Sequence, residues 1–203
     1  MYVPGHFDAS DVPFCHDLIR AYPFACLVTT SNGELIASHL PFLLDADRGP
    51  RGTLIAHVAR ANPQHEALAA GATALVVFTG PHAYVSPTWY ETHPAVPTWN
   101  YCVVHAYGIA RMIDDPADYL GRLATTFDSQ WRFESLPADY QTKMIRGIVA
   151  FDIEIAVLEG KAKLSQNRSA ADVVAVINAL DSSDTPLDRD IAQWMKRSRP
   201  LTG

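Results

Sequence analysis

Short runs of β-branched and aromatic residues alternate with turn signals along this chain, a pattern that predicts a strand-rich fold. Residues 24–30 (FACLVTT) and 34–44 (ELIASHLPFLL) flank Ser31-Asn32-Gly33. An Asn-Gly pair between two such runs is a strong hairpin signal, because both central residues of a type I′ turn need positive φ. Two antiparallel neighbours are expected there. Residues 53–59 and 72–80 read as a third and a fourth strand, 82–86 as a short fifth, and 99–113 as a sixth. A last strand is expected over 148–158, where Phe151, Ile153, Ile155 and Val157 fall on one side of the period-two alternation.

Helical signals sit between and after these runs. A first helix is predicted over 11–22, with Ser10 as N-cap and Pro23 as its stop, and a short one over 63–70, with Asn62 as N-cap and Gly71 as its end. Further helices are expected over 116–131, 138–146, 170–180 and 186–196, the third opened by a capping-box-like Ser169 and Asp172. Six or seven strands with mostly short links and late helices describe a small antiparallel barrel with peripheral helices. The expected division is a barrel over 1–168 and a helical extension over 169–203.

Composition narrows the classes. In 203 residues, 48% hydrophobic and 19% charged, there is enough apolar surface for one substantial core, which excludes global disorder. The longest apolar run, 72–78, is strand-sized, so no membrane span is expected. The N-terminus lacks a basic start and an apolar middle, and a cytoplasmic location is expected. A formal charge of −6 is unfavourable for direct nucleic-acid binding, which needs clustered Lys and Arg against phosphate; the single basic cluster is Lys196-Arg197-Ser198-Arg199. Cys15, Cys26 and Cys102 are odd in number and lack CxxC spacing, so neither a disulfide framework nor a structural zinc is expected. The histidines show no metal spacing, and GxSxG, Walker A and GxGxxG are all absent.

Three segments carry candidate chemistry. In HVARANP (57–63), Arg60 stands just before a helix start, where unpaired N–H groups and the dipole favour an anion; a surface salt bridge with a capping Asn62 is the alternative. His39 and His57, expected on neighbouring strands, read more readily as hydrogen-bonded structural histidines than as metal ligands. In EGKAKLSQNR (159–168), an extended chain would project Lys161, Lys163, Ser165 and Asn167 to one side, either as a phosphate or heterocycle cradle or as a solvated edge. In SPTWYE and VPTWNY, Trp89, Tyr90, Trp99 and Tyr101 crowd a proline-constrained span, forming a wall for a planar ligand, a dimer contact or plain core, with Thr98 and Asn100 adding polarity.

Taken in order, MYVPGHF, SHLPFLL, HVARANPQ, FTGPHAYVSPTWY, VPTWNY and EGKAKLSQNR resemble the PaiB family of FMN-binding negative transcriptional regulators. The resemblance runs from Met1 to about residue 180. It implies a six-stranded antiparallel split β-barrel, mainly β with peripheral helices, in a homodimer with FMN near the subunit interface. By the same resemblance, Ser38, His39, His57, Arg60 and Asn62 fall in the phosphate-holding region. Lys161 and Lys163 would add charge, Ser165 and Gln166 would meet polar edges of the flavin, and Thr98, Trp99 and Asn100 would border the isoalloxazine. The implied function is transcriptional repression, direct or through a partner. A flavin-dependent oxidoreductase, or a flavin carrier or sensor without turnover, stands as the alternative.

Overall fold

The Asn32-Gly33 pair adopts positive φ at both positions, 51° and 83°, as its turn chemistry requires. It joins β1 (Phe24–Ser31) to β2 (Glu34–Pro41) in an antiparallel hairpin whose register runs from Ser31 opposite Glu34 to Phe24 opposite Pro41. The computed structural model describes residues 1–198. Along them lie β3 (Leu43–Asp45), β4 (Thr53–Ala59), β5 (Thr73–Val85), β6 (Thr98–Ile113), β7 (Ile148–Glu154) and β8 (Val157–Lys163). The helices are α1 (Val12–Ala21), α2 (Gln64–Ala69), α3 (Ala117–Phe127), α4 (Ala138–Arg146), α5 (Ala170–Asp181) and α6 (Pro186–Arg197). The fold is mainly antiparallel β with helices, as expected, but with eight strands among the described residues where six were implied.

The difference has local causes. The Gly80-Pro81 dipeptide reads as a break, yet β5 runs through it without interruption. A Cβ at Gly80 would stand 2.7 Å from Leu18 Cδ1 and 3.0 Å from the Cys102 carbonyl oxygen, so the glycine is there for close strand approach, not for a turn. Two single strands expected over 34–44 and 148–158 are each two strands, β2 and β3 parted at Phe42, and β7 and β8 parted at Ile155-Ala156. At the first helix the capping residue is Asp11, whose Oδ1 accepts from the Phe14 amide at 2.9 Å. Ser10, expected in that role, hydrogen-bonds Gly160 instead.

The chain forms two compact units, each assembled from separated segments. The first comprises Met1–Leu18, Thr79–Val104 and Glu159–Gly203; the second comprises Ile19–Phe78 and His105–Leu158. In the first unit β6 pairs with β5 and with β8. Helices α5 and α6 belong to this unit, with α5 capped by Ser169, whose side chain accepts from the Asp172 amide. Asp172 in turn accepts from the Glu91 and Thr92 amides at 2.8 and 3.0 Å, fixing the loop before β6. Burial alone would raise its pKa, but these hydrogen bonds carry the carboxyl below its ordinary value.

In the second unit, β1 lies between β2 and β5, and β4 lies between β3 and β7, with β6 on the other side of β7. β4 is buried at nearly every position because it is covered on both sides of the sheet. Phe42, Phe78 and Phe151 are fully buried and meet edge-on, with centroids 5.7 Å apart for Phe42 and Phe78 and 6.5 Å for Phe42 and Phe151. Tyr119 of α3 packs with Leu43, Ile55 and Ala150 and brings the inserted helices onto this sheet.

Candidate functional site

The second unit holds the first group of expected site residues. Arg60 follows β4, and its guanidinium is pinned by two backbone carbonyls: Nε donates to Arg146 at 2.7 Å and one terminal nitrogen donates to Ile148 at 2.7 Å. The first acceptor is the last residue of α4, where helical carbonyls have no partner of their own, and the second is the first residue of β7. No carboxylate faces Arg60 in these bonds, so its charge is positioned without being neutralised. Asn62 bridges outward and inward. Its Nδ2 donates to Ser38 Oγ at 2.9 Å, while its Oδ1 accepts from the Gln64 amide at 3.0 Å at the start of α2.

Gln64, absent from the sequence expectation, is the buried anchor beneath Asn62. Its Nε2 faces the Leu27 carbonyl, Thr29 Oγ1 and the Ile36 carbonyl at 3.1 to 3.2 Å, and its Oε1 has no partner. The histidines go elsewhere. His39 is exposed and stacks on Phe24, whereas His57 Nδ1 hydrogen-bonds Tyr119 Oη at 3.0 Å. The two do not lie on neighbouring strands, because β2 pairs with β1 and β4 with β3 and β7. Burial holds the His57 pKa below its ordinary value and raises that of Tyr119, so both are neutral at pH 7.

The first unit holds the rest. Lys161 and Lys163 share one side of β8, as the alternation requires, but the extended run ends there: Ser165 has φ of 65° and residues 165–168 turn. The single stripe of four side chains is therefore replaced by a strand end and a turn. The turn is braced by Gln166, whose Oε1 accepts from the Leu164 amide and whose Nε2 donates to the Ala162 carbonyl. Lys161 donates to the Tyr2 carbonyl and lies over the rings of Tyr2 and Tyr101. Lys163 donates to Thr98 Oγ1 and to the Trp99 carbonyl. Asn100 and Ser165 are both buried and bonded to each other, with Asn100 Nδ2 donating to Ser165 Oγ at 3.0 Å.

These groups border a polar pocket of about 230 Å³, whose wall includes Thr98, Lys163, Ser165, Asn167 and Arg168. Its lining also includes Tyr90, expected as part of an aromatic wall, and Arg168, to which no role was given. The Arg168 guanidinium lies 4.2 Å above the Tyr90 ring centroid, a cation–π contact, and the Tyr90 hydroxyl is buried without a partner. Burial first, then the nearby charges of Lys161 and Arg168, lowers the Lys163 pKa. None of the residues around the pocket is a carboxylate. Clustered cations, donors and an orphaned hydroxyl are the donor set that an anion such as a phosphate completes. Beside it, Trp99 is 53% exposed and meets His82 and Tyr84 with centroids at 6.2 and 6.0 Å, an aromatic shelf open to solvent.

The family model described as "Putative FMN-binding domain" matches residues 1–157. The chain belongs to the PaiB family of FMN-binding proteins. FMN is the cofactor of that family's domain. This PaiB-family chain is 33% identical over 202 residues to the protease synthase and sporulation protein PAI 2 of Bacillus subtilis, with 97% of each chain covered. It is also 31% identical to an uncharacterized protein of Emericella nidulans, covering 97% of this chain and 96% of the relative.

Among solved structures, the FAD and haem binding protein of Mycobacterium smegmatis matches with a TM-score of 0.63 at 19% identity, over 83% of this chain and 78% of that one. The flavocytochrome Anf3 of Azotobacter vinelandii matches with a TM-score of 0.62 at 17% identity, over 79% and 72%. At these identities the likeness is one of fold, which is the split-barrel class implied by the PaiB motifs. Among the described residues, no helix is long and apolar enough to cross a membrane.

Proposed function

We propose that this protein is a cytoplasmic, homodimeric PaiB-like regulator whose FMN is held by its cationic residues. The pocket around Lys163 and Arg168 carries the reading, because among the described residues its cations have no carboxylate partner and its Tyr90 hydroxyl is buried and unpaired. A phosphate dianion supplies what that arrangement lacks. Arg60, with Ser38 and Asn62, is the second set of donors we assign to the cofactor's polar atoms, the site being completed across the homodimer. Trp99 is assigned to the face of the isoalloxazine. Bound there, FMN would supply one- and two-electron redox chemistry, while the protein's residues bind and orient it.

The output we propose is negative regulation of transcription through a partner protein. What supports the indirect route is the state of the basic cluster at the end of α6. Lys196 is paired with Asp181 at 2.8 Å and Arg197 lies over the Trp194 ring; Arg199 lies outside the described residues. Neither described cation stands ready for a DNA phosphate, and the net charge of −6 opposes one.

The first test is the visible spectrum of the freshly purified protein and the mass of what heat releases, where FMN is expected. Replacing Arg60 and Lys163 together by Ala should then weaken FMN by about 3 to 6 kcal/mol, at about 1.5 to 3 per charge-assisted contact. An unchanged titration refutes the assignment. NAD(P)H oxidation above that of free FMN would favour turnover over regulation, and salt-sensitive DNA retardation would favour direct over indirect control.

A further inference from the structure

The segment inserted between β6 and β7 encloses a hollow whose chemistry is the opposite of the pocket at Lys163. Its volume is about 370 Å³, and its walls include Leu120, Trp131, Phe133, Leu136, Met144 and Ile148. Three of these, Leu120, Trp131 and Phe133, also border a second hollow of about 380 Å³. Four large apolar side chains of the segment stay open to solvent: Phe127 at 56%, Tyr140 at 48%, Trp131 at 41% and Met144 at 40%. Exposed apolar side chains gathered around a concavity mark a site where something else is buried.

Three side chains on this wall carry hydrogen-bonding groups, the Tyr140 hydroxyl, the Trp131 indole N–H and the His57 imidazole, the last projecting from the largely buried β4. Its Nδ1 is engaged by Tyr119, which leaves Nε2 for an incoming group. Burial keeps the ring uncharged at neutral pH, so the hollow offers hydrogen-bonding groups at its edge and no charge. An engineered apolar cavity of about 150 Å³ already accepts a single benzene ring, and this one is more than twice that size. We propose that the second unit carries a binding site for a neutral, flat aromatic molecule of about two fused rings with one hydrogen-bonding group on its edge. The walls at Trp131 and Phe133 take the ring faces, and His57 meets the polar edge.

The probe is 2-naphthol, titrated by fluorescence into the full chain with FMN bound, with naphthalene as the comparison. Saturable binding is expected, at least tenfold tighter for 2-naphthol than for naphthalene. Met144→Glu, a change on the exposed rim, should weaken 2-naphthol tenfold or more while leaving the FMN titration and the circular dichroism unchanged. His57→Leu should erase the preference for the hydroxyl, and Tyr140→Phe should preserve it. The proposal is overturned if 2-naphthol does not saturate, if Met144→Glu leaves its affinity untouched, or if FMN competes with it. It is also overturned if Met144→Glu dissociates a dimer, which would make the hollow a contact between copies. The FMN reading fails separately, on flavin absorbance.

Discussion

Two hollows of this chain, one in each unit, differ less in size than in how their walls treat charge. The pocket of the first unit, about 230 Å³, collects Lys163 and Arg168 with hydroxyl and amide donors around them, and the structure disfavours the charge of Lys163. The hollow of the second unit, about 370 Å³, lines itself with aromatic and aliphatic side chains around one uncharged imidazole. The first gathers cations; the second gathers apolar area. Their origins differ as well. The cations come from a strand end and the turn after it, so their spacing is set by backbone geometry. The apolar walls come largely from the segment inserted between β6 and β7, which packs on the sheet through Tyr119 and leaves Trp131 and Tyr140 outside.

The largest expected effect separates the two at once. Lys163→Ala with Arg168→Ala should weaken FMN by about 3 to 6 kcal/mol, measured by flavin absorbance or calorimetry, since each removed contact is charge-assisted. The same double variant should leave 2-naphthol unaffected. Next in size, Trp131→Ala should cost 2-naphthol about 1 to 3 kcal/mol through lost aromatic contact, with no change in FMN affinity. If either variant acted on both ligands, the separation of the two hollows would be lost.

A pH titration sharpens the contrast further. The folded-state pKa of Lys163 lies below the ordinary 10.5, so its charge disappears as pH rises through that lowered value. FMN affinity should therefore begin to fall at a pH below the usual lysine range, and Lys163→Arg should move the fall upward. His57 behaves in the opposite sense. Its depressed pKa means that the unfolded chain binds the proton more readily, so the stability contribution is complete above pH 6.5 and is lost as pH falls through the folded value. Chemical denaturation between pH 7 and 5 should show that loss, and His57→Leu should remove this component of the slope. The smallest effect expected is that of Tyr119→Phe, which deletes one hydrogen bond to His57 and should lower stability by about 1 kcal/mol.

How much of this was legible in the sequence follows from how local each signal is. The Asn32-Gly33 hairpin, the strand at Thr53–Ala59 and the Ser169 cap of α5 each depend on neighbours within a few residues, and each stands where it was expected. The continuity of β5 through Gly80-Pro81 was not legible, because the reason for the glycine is Cys102 and Leu18, distant in the chain. The same holds for the ligand sets. Lys161, Lys163 and Ser165 were visible as a stripe, but the positive φ at Ser165 bends the chain and brings Arg168 over Tyr90. Both residues lie in the singled-out SPTWYE and EGKAKLSQNR segments, but nothing in the local pattern pairs one with the other. In the inserted segment, helical periodicity carried the expected α3 as far as Trp131, whereas the helix ends at Phe127 and frees Trp131 to line the hollow. The family resemblance groups His57 with Arg60, and the hydrogen bond of its Nδ1 to Tyr119 Oη, 62 residues away, has no local signal.

The phosphate distinguishes FMN from riboflavin, and a side-by-side titration of the two therefore tests most directly whether the cations of the first unit hold it. FMN should bind the unaltered protein at least a hundredfold more tightly than riboflavin, and this preference should collapse in the Lys163→Ala, Arg168→Ala variant while riboflavin affinity stays the same. Equal affinity for the two flavins, or a preference that survives both replacements, would contradict that role of the cations.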